Sequence, residues 1–193
     1  MKRFRFYSIV FLATTLCLSS CAYKLGVSER QIPENLKKIS IPVMKNLSRE
    51  VGAEIYFTNA LIQEFERSKV AEVLPESLSD AVLRGTISRI EYVAPETGMK
   101  LAKDSEFLPQ GTVLATIYNI NVVIDMSLVR RSDEKVIWSG SFSGVRSYSA
   151  PQVTLPVVNS VNPLYNLSAR RQNIELIAND VMSEVHDRMT ENF

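Results

Sequence analysis

The stretch that decides the fold is YNINVVIDMSLV, residues 118–129, followed by RRSDEK, residues 130–135, and VIWSGSFSGVRS, residues 136–147. Tyr118, Ile120, Val122, Ile124, Met126 and Leu128 alternate with Asn119, Asn121, Val123, Asp125, Ser127 and Val129. Strict alternation over this length predicts a strand with one buried and one wetter face. The charged run Arg130 to Lys135 predicts a turn, and Val136 to about Ser147 predicts the returning strand of a hairpin.

Working outward, three further strands are expected. Lys37 to Val43 alternates with Ile39, Ile41 and Val43 on one side, and Pro42, which cannot donate to a ladder, puts that strand at an edge or ends it there. Val70 to Leu74 reads as a short strand, Pro75 to Ser79 as a turn, and Ala81 to Val93 as a long strand. Residues 94–111 carry two prolines and two glycines and read as a long loop. Loops of that length in a compact domain are commonly functional.

Two segments switch to helical period. From Ser48 to Ser68 the residues Val51, Ile55, Thr58, Ile62 and Phe65 share a face. From about Ser168 the residues Ile174, Ile177, Ala178, Val181, Met182, Val185 and Met189 do the same. The order β-α-β-β-β-β-α, with two one-sided helices, predicts an α+β, two-layer sandwich: two helices packed on a mostly antiparallel or mixed sheet of four to five strands.

The N-terminal residues carry a different message. Lys2, Arg3 and Arg5 precede an apolar run, Phe6 to Leu18, that is too short to span a bilayer, and the run closes on Leu18-Ser19-Ser20-Cys21. Residues 1–20 therefore read as an export signal. The Leu-Ser-Ser-Cys tetrad is similar to the lipobox of bacterial lipoproteins, which implies a covalent lipid on Cys21 and no other cofactor. Several acyl chains hold a protein stably on a membrane where one does not. Ala22, where an Asp usually marks retention at the inner membrane, directs the expectation to the outer membrane. Residues 21–36 read as the lipidated N-terminus and tether, and 37–193 as one domain.

Composition excludes several function classes. Removing residues 1–20 from 193 leaves 173, enough for one cored domain. It takes away three of the 22 Lys and Arg residues, leaving 19 against 21 acidic ones, a charge near −2. A nucleic-acid partner is not expected, since it normally calls for a basic surplus or stripe. The chain's two cysteines are Cys17 and Cys21, so residues 22–193 contain no thiol for a disulfide, a metal site or a nucleophile. The one histidine, His186, lies near the end of the second helix, where the helix dipole favours it.

Catalytic motifs fail on inspection. Gly140-Ser141-Phe142-Ser143-Gly144 superficially resembles a nucleophile elbow, but its centre is Phe142 and it lies in a strand. Asp133-Glu134 and Asp104 with Glu106 fall in turn or loop contexts that solvate them, unlike paired carboxylates in a cleft. The seven glycines are scattered singly, and none forms a phosphate-binding loop. The chain is not expected to be an enzyme. Six cations could meet phosphate or carboxylate groups of an anionic ligand: Lys100 and Lys103 in the long loop, Arg130, Arg131 and Lys135 at the hairpin turn, and Arg146 in the return strand.

With these elements placed, the chain resembles the LptE family of lipopolysaccharide-assembly lipoproteins. The segments that carry the resemblance occur in the family's order. They are Ala22-Tyr23-Lys24-Leu25, Ile39 to Val43 with Asn46, Glu54 to Leu61 followed by Glu64-Phe65, Asp80 to Ile87, Lys135 to Trp138, and Ala169-Arg170-Arg171. The resemblance implies a lipid-anchored outer-membrane protein that plugs the lumen of an LptD-type β-barrel as a one-to-one complex. It would stabilise the barrel and assist lipopolysaccharide on its way to the cell surface. An alternative is a lipoprotein of another secretion system, such as a subunit of a curli-exporter-like pore.

In a Gram-negative host fed labelled palmitate, the chain is expected to take up label. Cys21→Ala is expected to take up none and to accumulate at precursor size; label on that variant would show that the lipid sits elsewhere.

Overall fold

The computed structural model describes residues 30–101, 113–115, 117–149 and 163–191. The expectations for the signal, Cys21 and Lys103 lie outside these residues. The described strands are β1 (Lys38–Ser40), β2 (Lys45–Asn46), β3 (Glu72–Val73), β4 (Ala81–Val93), β5 (Met99–Leu101), β6 (Val113–Ala115), β7 (Ile117–Arg130) and β8 (Val136–Ser149). The helices are α1 (Ala53–Ser68) and α2 (Pro163–Thr190), with short 3-10 turns at Pro33–Asn35, Glu76–Leu78 and Glu96–Gly98.

The main sheet runs β3-β1-β4-β7-β8, with β2 also beside β4. β1 and β2 pair with β4 in parallel, as does β3 with β1, whereas β4-β7 and β7-β8 are antiparallel. The expected hairpin is therefore present, with Tyr118 opposite Tyr148 and Ser127 opposite Ser139. The fold class is the expected one: α+β, two helices on a mixed and largely antiparallel sheet.

Both helices lie on the same face of the sheet and against each other. Helix α2 crosses β8 at Gly144, where an added Cβ would come within 2.6 Å of Ile177 and 2.7 Å of Val181. The core between the layers is built from Phe57, Leu61 and Phe65 of α1, Ile174, Ile177, Val181, Met182 and Val185 of α2, and Leu83, Ile87, Ile120, Val122, Ile124, Met126 and Leu128 of the sheet. Alternate residues of β7 are buried, so one side of the hairpin faces the helices as its pattern dictates.

Four details depart from the sequence reading. First, β1 stops at Ser40 because Pro42 follows, and the chain resumes alongside β4 as β2. Second, the buried stripe of α1 is Ala53, Phe57, Thr58, Ala60, Leu61 and Phe65, whereas Val51 is 90% exposed and Ile55 48%. Apolar residues make up half of this helix, so period alone leaves its phase open, and packing around Phe57, Leu61 and Phe65 sets it. Third, β5 lies within the expected loop and pairs with β6 in a separate two-stranded ribbon. Fourth, residues 30–36 are docked on the domain. Ile32 is buried, Gln31 N–H donates to the Thr190 carbonyl at 3.2 Å, and Arg30 pairs with Asp187 at 2.7 Å.

Gly144→Ala forces a methyl group into Ile177 and Val181. It is expected to destabilise the domain by about 1–3 kcal/mol, read as a lower urea midpoint with an unchanged m-value.

Candidate functional site

The face of the sheet away from the helices carries no layer among the described residues. It presents Arg84, Thr86, Ser88, Arg89 and Glu91 from β4, Asn119, Asn121, Val123, Asp125 and Ser127 from β7, and Ser139, Ser141, Ser143, Val145 and Ser147 from β8. The alternation that buries one side of β7 and β8 leaves hydroxyls and amides on the other. At its centre Asp125 accepts hydrogen bonds from the hydroxyls of Ser88 and Ser141, which hold its carboxyl below the usual carboxylate range. Toward the start of β7, Ser147 Oγ donates to Asn119 Oδ1 at 2.7 Å. This is a wet platform of balanced charge with one exposed valine, Val145, and one half-buried, Val123.

A second cluster closes the end of the sheet where β4 and β8 finish. Glu50, in the loop entering α1, accepts from Tyr92 Oη at 2.6 Å and from Arg170 Nη2 at 2.7 Å. The Arg170 guanidinium also lies 4.1 Å above the Tyr92 ring, a cation–π contact. Burial, followed by the bond to the Glu50 carboxylate, pushes the Tyr92 phenol up to about 12. Burial also raises the Tyr148 phenol, which stacks on Tyr118 with centroids 5.8 Å apart. Asn46 braces the same loop, donating to the Glu50 carbonyl and to Glu54 Oε2, both at 2.7 Å.

The opposite end holds the hairpin turn. Leu36, Ser79, Asp80, Arg130, Arg131 and Ser132 line an open cavity of about 550 Å³. Arg130 is engaged by Glu34 and by Asp133, and this bonding lowers the Glu34 carboxyl. Arg131 donates to the Ser77 carbonyl at 2.7 Å. Lys135 is exposed and forms no ion pair among the described residues.

The six cations singled out from the sequence thus do not converge. Arg130, Arg131 and Lys135 share the turn end, whereas Arg146 pairs with Asp180 of α2 at 3.1 Å on the helix side of β8. Lys100 is placed in β5, in the separate ribbon with β6. His186 lies near the end of α2, as expected, and is buried there. Its Nε2 lies 2.8 Å from Ser68 Oγ and its ring meets Phe65 edge-on, so it fastens the end of α1 to α2. Sequence reasoning missed the Glu50–Tyr92–Arg170 cluster, whose members are 42 and 120 residues apart from Glu50 and share no motif. No group of three or more His, Cys, Asp or Glu side chains able to hold a metal ion occurs among the described residues.

These features define a class: a two-layer α+β domain with one sheet face covered by helices and the other open and polar. A family model described as LptE, lipopolysaccharide-assembly, matches residues 36–189, and the chain belongs to that family. It is an LptE-like lipoprotein of the cell envelope. No curated protein matches the chain. Among solved structures it is similar to a neuraminyllactose-binding hemagglutinin homolog from Helicobacter pylori, with 14% identity, 86% of this chain and 92% of that one covered, and a TM-score of 0.50. It is also similar to the PelC dodecamer from Paraburkholderia phytofirmans (13%, 80% and 89%, TM-score 0.47) and to lipoprotein GNA1162 from Neisseria meningitidis (14%, 71% and 98%, TM-score 0.40). At such identities the likeness to the Helicobacter protein speaks to the fold alone.

A phenol raised from 10.0 to about 12 keeps its proton in the folded chain after the unfolded chain has lost it. The stabilisation is therefore complete below pH 10 and falls away as the pH rises from about 10 to 12. Urea midpoints measured across that range are expected to fall less steeply in Tyr92→Phe. Absorbance titration at 295 nm is expected to lose one late-ionising tyrosine in that variant.

Proposed function

We propose that this chain is a non-enzymatic partner of an LptD-type outer-membrane β-barrel. It is held at that membrane by lipid on Cys21 and docked one-to-one inside the barrel lumen, where it stabilises the barrel and assists lipopolysaccharide assembly. The observation that carries this reading is the open sheet face. Barrel interiors are polar, and a surface of Ser, Asn and Thr, whose charges Arg84, Arg89, Glu91 and Asp125 balance in sign, can satisfy such a wall through direct and water-mediated hydrogen bonds. Obligate complexes commonly bury on the order of 2,000 Å² or more, and a face of three strands of 13, 14 and 14 residues offers area of that kind.

The cations take subordinate parts in this reading. Arg130 and Arg131 are already bound within the domain, so contact with lipopolysaccharide phosphates at the turn end falls first to Lys135. Arg146 would have to leave Asp180 to take part, and Lys100 and Lys103 lie in the segment between β4 and β7.

A tagged chain is expected to co-purify with one dominant barrel protein, and its depletion to reduce correctly assembled barrel. Ser139→Trp, which puts a bulky ring on the open face, is expected to lower barrel recovery about tenfold, as loss of a central contact does. Glu66→Trp, on the exposed side of α1, is expected to leave recovery unchanged. A folded wild-type chain that brings down no barrel overturns the proposal.

A further inference from the structure

The β2 margin of the open face differs in chemistry from the rest of it. Burial alternates along Val43, Met44, Lys45, Asn46 and Leu47: Met44 is buried, whereas Val43 is 62% and Leu47 58% exposed, with Lys45 exposed between them. Lys45 stands beside Thr86 in a parallel pair, and Leu47 N–H donates to the Ile87 carbonyl at 3.0 Å. Register partners share a face, so Lys45 and Leu47 carry the open face one strand beyond β4. The β8 side of that face is a row of serines, and this side pairs aliphatic groups with a cation.

Two arginines of β4 lie next to that cation. Arg84 precedes Thr86 by two residues and meets Glu76 only at 4.0 Å, while Arg89, just past Ser88, meets Glu91 at 3.6 Å. All four of these side chains are half or more exposed, and ion pairs so exposed hold weakly. Lys45 itself forms no ion pair among the described residues. Asp125 is a strand further off and is engaged by the hydroxyls of Ser88 and Ser141. With strands about 4.8 Å apart and alternate residues about 6.7 Å along a strand, the backbones of Lys45 and Arg84 stand about 8 Å apart. Both heads can therefore meet one phosphate.

We propose that this margin binds an anionic lipid, Lys45 and Arg84 holding its phosphate while Val43 and Leu47 carry an acyl chain. The occupant has to be anionic and aliphatic at once. A polar barrel wall offers the two aliphatic side chains nothing to bury against, and a free phosphate or sugar leaves them in water. The methylene stem of Lys45 bridges the gap between Val43 and Leu47 while its ammonium reaches the head group. The choice of lipid rests on the reading of lipopolysaccharide assembly above, since the lipid A part of that molecule carries phosphates and acyl chains. The barrel then meets β7 and β8, and the lipid lies along β2. None of these contacts uses the six cations singled out from the sequence.

The test uses the full-length chain in neutral detergent micelles, with purified lipid A as the probe. Photoreactive benzoylphenylalanine at position 47 is expected to give a lipid A adduct, read by mass spectrometry, and the same group at position 143 to give at most about a tenth as much. Lys45→Glu is expected to raise the lipid A concentration for half-maximal adduct about tenfold, the worth of one charge-assisted contact, and Lys45→Arg to leave it unchanged. Lipid A stripped of its phosphates is expected to bind the wild-type chain about tenfold more weakly, with no further loss in Lys45→Glu. Substitutions at exposed positions such as these leave folding intact, which circular dichroism checks. Equal adduct at 47 and 143, an unshifted Lys45→Glu curve, or a protein adduct in place of a lipid one at position 47 in living cells overturns the proposal. A chain that captures lipid A at position 47 yet brings down no barrel keeps this inference and overturns the docking, and the reverse result overturns this inference alone.

Discussion

The close approach of α2 to β8 at Gly144 is the contact on which the rest of the architecture depends. Because position 144 has no side chain, Ile177 and Val181 reach the strand, and the helix lies low enough to share its other flank with α1. A shared face for both helices is what leaves the opposite face of the sheet without a layer. The same descent brings Arg170, near the start of α2, onto Tyr92 and Glu50, and it brings His186, near the other end, onto Ser68. One missing Cβ thus organises the core, the bare surface and the polar fastenings at both ends of the sandwich.

The main polar fastenings join groups from more than one element. Glu50 comes from the loop before α1, Tyr92 from β4 and Arg170 from α2, and none could be satisfied by its own neighbours in sequence. Thr58 does similar work inside the sandwich, accepting from the Met44 N–H at 3.0 Å and donating to the Glu54 carbonyl at 2.6 Å. Together with Asn46 these groups fix the segment 44–54, which carries both β2 and the entry to α1. The N-cap of α1 is Gly52 at φ 89°, a left-handed conformation that suits glycine and lets the chain turn sharply from the loop into the helix.

The hairpin and both helices were legible in the sequence because each has one wet face and one dry face, so composition reports directly on burial. The parts that escaped are those where the two diverge. The α1 segment has apolar residues on too many sides for period to set its rotation, and Val51 and Ile55 fall outside the stripe that Phe57 and Leu61 define. β2 and β3 are two residues each, shorter than any periodic signal, and exist because β4 and β1 supply their hydrogen bonds. The Glu50–Tyr92–Arg170 cluster was invisible for the same reason: its members are joined by the fold and by no local pattern. The cations were visible, but whether a given arginine is free or already bound to a carboxylate is a property of tertiary structure alone.

The position of α2 also governs when this domain can fold. Its buried residues, from Ile174 to Met189, form one whole wall of the core, and Thr190 holds the strap at Gln31. A chain made from its N-terminus has already released every strand of the main sheet before this helix appears, and until then the dry side of the hairpin lacks the wall that α2 supplies. Closure of the core is therefore deferred to the end of synthesis.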